Sequence, residues 1–245
     1  MKQIRNFVGF TAVLLFFLAI TTTGCIGTID VGPTQTESQS IELGDAQTAE
    51  ANINMGIGDL SIGGGAGNLM DAEFTFNIED WRPEVTYEIR NGEGRLTVEQ
   101  PDNTSDISSI PNDSVTYEWD LRFANDVPLD MTVDLGAGTS KLVLGDLWLT
   151  RLNVNMGVGE SEIDLTGNWR ESATITVEGG VGTTTIKLPN NVGVRVTTST
   201  GIGTVDVYGL IRNGDVYTNA LYDQSDVQLD VTVSGGVGTI RIDAE

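Results

Sequence analysis

The chain contains no histidine, which removes the side chain that most often carries protons or binds metals near neutral pH. It has a single cysteine, Cys25, so no internal disulfide can form. Basic residues are scarce: 13 stand against 35 acids, a net charge of −22. Such a field repels nucleic acid and anionic lipid, and no nucleic-acid partner is expected. Weak binding of divalent cations by surface carboxylates stays open beside the simpler reading of a solvated acidic face. Prolines number only six against 30 glycines, which does not suit a collagen-like or simple disordered chain. No long amphipathic helical pattern follows residue 25.

What the sequence does have is a recurring pair of glycines with one residue between them. Six pairs begin at Gly56, Gly136, Gly157, Gly180, Gly201 and Gly236, and a weaker one is Gly92-Glu93-Gly94. Four residues after each second glycine stands an apolar residue: Ile62, Val98, Leu142, Ile163, Ile186, Val207 and Ile242. Three before each first glycine stand Ile53, Ile89, Val133, Val154, Val177 and Val233, with Thr198 the exception. From residue 136 the first glycines are spaced 21, 23, 21 and then 35. The surrounding Val, Ile and Thr are strand formers. A short interval fits two strands and two turns, one coil of a β-solenoid. The fold class expected is therefore all-β, a solenoid-like stack with Gly-x-Gly corners. An antiparallel β-sandwich is the alternative, since its hairpins also need glycine turns.

In the solenoid reading the residue inside each pair, Val158, Val181, Ile202 and Val237, points inward at a corner and stacks on successive coils. Val154, Val177 and Val233 form part of the same core, and Ile163, Ile186, Val207 and Ile242 a second ladder. Residues Ala51 to Ile62 alternate, which sets Ile53, Met55, Leu60 and Ile62 on one face of a strand. The long interval before Gly236 accommodates a hairpin around Arg212-Asn213-Gly214-Asp215.

The first residues read as an export signal. Lys2 and Arg5 precede an apolar stretch from Phe7 to Ile20, of signal-peptide length and short for a membrane span. Thr21-Thr22-Thr23-Gly24-Cys25 resembles the bacterial lipobox, which implies cleavage before Cys25 and its lipidation. The resemblance departs at Thr22, where lipoproteins usually carry leucine. Ordinary cleavage and an uncleaved anchor are the competing readings. Removing residues 1–24, which hold Lys2, Arg5 and no acid, leaves 11 basic and 35 acidic side chains, a net charge of about −24. The organisation expected is a signal peptide over 1–24, a lipidated cysteine and flexible tether over 25–40, and an N-terminal β domain over 41–128. A C-terminal repeat domain over 129–245 continues from it.

Candidates for chemistry are few. Paired carboxylates that could serve a glycosidase are Asp71/Glu73, Glu79/Asp80, Glu160/Glu162 and Asp226/Asp230. Each reads more simply as a solvent-facing pair. The Gly-x-Gly pairs are not nucleotide loops, because no helix follows and no Gly-Lys-Ser/Thr occurs. No cofactor and no metal are expected. Among the four tryptophans, Trp81 beside Asp80, Arg82 and Pro83 suggests an exposed turn, so Trp81 and Arg82 mark a possible binding surface.

Residues 41–62, IELGDAQTAEANINMGIGDLSI, look like the start of the toast-rack N-terminal domain of bacterial envelope proteins. Leu129 to Ile242 resembles adhesin-type repeat domains of unknown function. Related domains end membrane proteins that respond to cell-wall-active antibiotics. The resemblance implies stacked β structure and no catalytic residues. The function expected is a non-catalytic, surface-tethered scaffold or binding module, lipid-anchored on the outer face of a bacterial membrane. An envelope protein or a cell-wall glycan is the partner class. An envelope enzyme acting on polysaccharide through paired carboxylates is the alternative.

Overall fold

The computed structural model describes residues 31–101 and 115–245. Cys25 and the signal-like segment lie outside them. The described chain folds into thirteen strands: β1 (Gln35–Ile41), β2 (Thr48–Gly64), β3 (Met70–Phe76), β4 (Glu84–Arg90), β5 (Glu93–Glu99), β6 (Tyr117–Phe123), β7 (Leu129–Val143), β8 (Leu149–Asp164), β9 (Ala173–Leu188), β10 (Gly193–Tyr208), β11 (Ile211–Asn213), β12 (Val216–Thr218) and β13 (Gln228–Ala244). One short 3-10 helix covers Glu79–Trp81. The expected tether is a strand from Gln35 onward, paired antiparallel with β3. Its alternating Thr and Ser hydroxyls bond across to Thr75 and Asp71.

Six strands are 15 to 17 residues long because they run through a Gly-x-Gly pair without stopping. They pair in parallel, glycine against glycine, in the order β2-β7-β8-β9-β13-β10. Parallel pairing of this kind is a solenoid-like stack, not a sandwich. Among the described residues antiparallel pairs occur only at its ends, in β1-β3-β6, β4-β5 and β10-β12-β11. Strands β2 and β7 pair from Ala49 to Ile62, so the stack runs unbroken past residue 128.

Each long strand is bent. In β8, Leu152, Val154 and Met156 are buried, and so are Ser161 and Ile163. Met156 and Ser161 are an odd number of residues apart, so a flat strand would set them on opposite faces. Both face the same core, so the chain folds back at Gly157–Gly159. The same holds in β2, where Met55 and Leu60 share the core only because of the bend. Each rung therefore has a first arm before the glycines and a second arm after them, and the two enclose one apolar core. Gly159 shows why no other residue fits. Its φ is +143°, and a Cβ there would lie 1.8 Å from the carbonyl oxygen of Gly138.

Both expected ladders are present. Val154, Val177 and Val233 stack in the first arms, and Ile163, Ile186 and Ile242 in the second, all essentially without solvent exposure. Val207 is half-buried, because its rung is the last. Two expectations are corrected. Val158, Val181, Val237 and Ile202 point outward, with 55, 50, 47 and 73% of their surface exposed. The inside of the bend is already filled by Met156, Ser140, Ser161 and Thr184, so the middle residue of the corner lies on its convex side. The stacking also departs from chain order. The chain leaves β10, forms the β11–β12 hairpin around Gly214, and returns as β13 between β9 and β10. Ile202 therefore occupies the end rung.

These positions predict a stability order measurable by urea unfolding. Ile163→Ala should cost about 2–5 kcal/mol, since it empties buried volume. Ile202→Ala should change stability by no more than about 0.5 kcal/mol, as expected for an exposed site. Gly159→Val should exceed Ile163→Ala, because both the backbone conformation and the neighbouring carbonyl oppose it.

Candidate functional site

The outward residues of the glycine corners form a continuous feature. Val158 pairs with Val181, Val181 with Val237, and Val237 with Ile202. At about 4.8 Å per strand the four span roughly 14 Å. Ala137 and Ile57 continue the line as half-buried residues. Isolated exposed aliphatics are ordinary on a protein surface, but a column of β-branched residues in register is a contiguous apolar ridge. Beyond the corner it is flanked by Glu160, Thr183, Thr239 and Thr204, one per rung. The Thr204 and Thr239 hydroxyls lie 3.4 Å apart. On the first-arm side the ridge is flanked by Asn155, the exposed Glu178, Ser234 and Ser199, so each side of it carries a single carboxylate, Glu160 or Glu178.

At the β2 end the ridge is closed. The Gly56 and Ile57 N–H groups donate to the side-chain oxygen of Gln100, at 2.8 and 3.0 Å. Gln100 supplies the acceptor that a further rung would have supplied. Nothing in the sequence pattern marked this residue, because a cap formed between distant segments leaves no local period.

The expected Trp81–Arg82 surface does not form. Trp81 is 1% exposed. The one-turn helix Glu79–Trp81 turns its ring inward, edge-on to Tyr117 at 5.6 Å, and the Tyr117 hydroxyl donates to the Trp81 carbonyl. Burial pushes the Tyr117 hydroxyl well above its usual pKa. Arg82 remains on the surface, paired with Glu37 and Glu79 and lying over the Phe76 ring. Of the other tryptophans, Trp119 and Trp169 are buried, while Trp148 donates to Glu171 and lies under Arg170.

The carboxylate pairs do not make an acid–base site. Glu79 is held below the ordinary carboxylate range chiefly by its hydrogen bonds from Arg82 and Gln35. Glu162 is held down by the Lys187 ammonium at 2.8 Å, and Asp71 by hydrogen bonds from Ser40 and Asn68. Asp230 pairs with Arg195 at 2.8 Å. A general acid of a glycosidase needs the opposite shift. Asp130 is shifted upward by loss of solvent, but it pairs with Arg151 and not with a second carboxylate. Among the described residues no group of three or more Asp, Glu, Cys or His could hold a metal ion. No described helix is long and apolar enough to cross a membrane.

Two family profiles match the chain. The N-terminal domain of toast_rack matches residues 30–187, and the C-terminal domain of the cell wall-active antibiotics response protein LiaF matches residues 138–242. No curated protein matches the sequence. Among solved structures, a "putative cell adhesion protein" from Clostridium sporogenes is 32% identical over 87% of this chain and 100% of its own, with a TM-score of 0.84. A "putative adhesin" from Bacteroides fragilis is 11% identical over 86% of this chain and 97% of its own, with a TM-score of 0.33. A third, from Parabacteroides merdae, is 13% identical over 87% and 97%, with a TM-score of 0.31. The profile match over most of the chain and the Clostridium sporogenes structure agree with the bent, glycine-cornered strands described above, and the chain belongs to the toast_rack N-terminal domain family.

Proposed function

We propose that this chain is a non-catalytic, adhesin-like binding module of the bacterial cell envelope, tethered through lipidated Cys25. The observation that carries the reading is the in-register aliphatic ridge of Val158, Val181, Val237 and Ile202. Keeping these side chains in water is unfavourable by the hydrophobic effect, and covering them with a partner recovers that free energy. The rigid stack holds them in line, so little order has to be imposed on binding. An envelope protein or a cell-wall glycan is the proposed partner class. The name of the Clostridium sporogenes relative and the LiaF-type profile support an envelope role. The polysaccharide-enzyme alternative gains nothing from the carboxylates: one member of each candidate pair, Asp71, Glu79, Glu162 and Asp230, is taken up by a cation or a hydrogen-bond donor.

Two experiments test this. Cys25→Ser should move the protein from the membrane fraction to the soluble one, and intact-mass analysis of the parent should find an acylated chain beginning at Cys25. An unmodified cysteine, or another first residue, rules the anchor out. Separately, the triple variant Val158→Asp, Val181→Asp, Val237→Asp should keep the parent's circular dichroism. It should also lose capture of envelope proteins and peptidoglycan by the immobilised Cys25→Ser chain. Undiminished capture by the triple variant would remove the ridge from the account.

A further inference from the structure

The two layers of arms end differently beyond β10. In the first-arm layer β10 is followed by β12, through Arg195–Thr197 on Val216–Thr218, and then by β11. In the second-arm layer, among the described residues, no strand pairs with the outer side of Gly201–Tyr208. The end of the body is therefore a step two strands deep, about 10 Å. It is also apolar. Ile202, Ile211 and Tyr208 are 73, 68 and 50% exposed, and Val205 and Val207 are only half-buried although their partners Ile240 and Ile242 are buried. At the far end Gln100 caps the corner. Here an unpaired strand edge and the end of the core face outward together, the combination that solenoids cap or pair.

A second copy fits this step. Turned by 180° about an axis that runs along the strands between the two layers, the copy brings its long layer against the short layer of the first. Each layer then reads β10, β12, β11 of one copy followed by the second arm of β10 from the other. The excess of two strands is the same in both copies, so both layers close at one separation. Strand directions agree: β11 runs parallel to the first arm, the second arm runs back, and the new pair is antiparallel.

The register follows from the faces. Tyr217 lies opposite both the buried Val196 and Arg212, so Arg212 faces inward while Ile211 and Asn213 face outward. On β10, Val205 and Val207 face inward, Asp206 and Tyr208 outward. The hairpin pairs with β10 at Val196, six residues before the corner at Ile202, which sets it level with Val207 and Tyr208 at the end of the second arm. Arg212 opposite Val207 keeps the faces matched and sets Ile211 against Tyr208 and Asn213 against Asp206. Arg212 meets a valine in either register, Val207 here or Val205 after a shift by two residues, but that shift also sets Ile211 against Asp206, an apolar group against a charge. We propose that the chain forms a two-fold dimer through this stepped end, with β11 of each copy pairing antiparallel with Gly201–Tyr208 of the other. The inference does not depend on the adhesin reading, and β1, which follows the tether, lies at the opposite end of the strand order.

The Cys25→Ser chain has no other thiol, so it is the background for the test. Asp206→Cys and Asn213→Cys variants, mixed and mildly oxidised, should give a disulfide-linked heterodimer. Each alone should give much less linked dimer, because neither position faces itself. In sedimentation velocity at moderate salt, the parent should pass from monomer to dimer as concentration rises. Ile211→Asp should weaken the association on the order of tenfold or more, with a melting temperature equal to the parent's when both are read at a concentration where the parent is monomeric. A parent monomeric at every concentration with no linked heterodimer overturns the proposal. So does a dimer indifferent to Ile211→Asp, or single variants that cross-link as well as the mixture.

Discussion

The constraint on which the structure depends is backbone resting on backbone in the glycine column. Gly138, Gly159, Gly182 and Gly238 each sit so close to a neighbour's carbonyl that a single added carbon would overlap it. That approach allows a strand of 16 residues to fold back on itself while every rung keeps its ladder of hydrogen bonds. It also fixes register, because a rung that slipped by one residue would drive a Val or Ile into the place of a glycine. Every other column inherits this alignment. The valine ladder of the first arms, the isoleucine ladder of the second, and the outward ridge are straight because the glycines are.

The same constraint links fold to function. A solenoid held in register by its corners cannot hide the residue at the apex, since Met156 and Ser161 already occupy the concave side. The apex is therefore free of a core requirement. Yet five of the six rungs carry Val or Ile there, Ala137 being the exception. Threonine would serve the strand equally well and water better, as Thr183, Thr239 and Thr204 do two residues on. A stack also has two ends, and these differ. One is closed by aromatic packing around Trp81, Tyr117 and Trp119 and by Gln100 at the corner. The other is a step with an open edge.

Much of this architecture was legible in the sequence. The period of the glycine pairs gave the stacked fold, and the residues three before and four after each pair gave both ladders. The direction of the apex residue was not legible, because a bend reverses the alternation that strand reading relies on. The odd spacing from Met156 to Ser161 held that information. The insertion of β13 between β9 and β10 was also hidden, since period alone does not say which rungs are neighbours. Trp81 shows a third limit. Polar neighbours suggest exposure, but one turn of helix directs Trp81 to the core while Glu79, Asp80 and Arg82 stay in water. Gln100, a cap between segments 44 residues apart, has no local signature at all.

The central claim is that the glycine corners turn their middle residues outward while the valine ladder stays inside. Thiol reactivity in the Cys25→Ser background tests it most directly. Cysteine placed singly at 158, 181, 237 or 202 should react with a polar thiol reagent at the rate of an exposed peptide thiol under native conditions. Cysteine at 154, 177 or 233 should react only as the protein unfolds in denaturant. Protection at the four corner positions equal to that of the ladder would contradict the account.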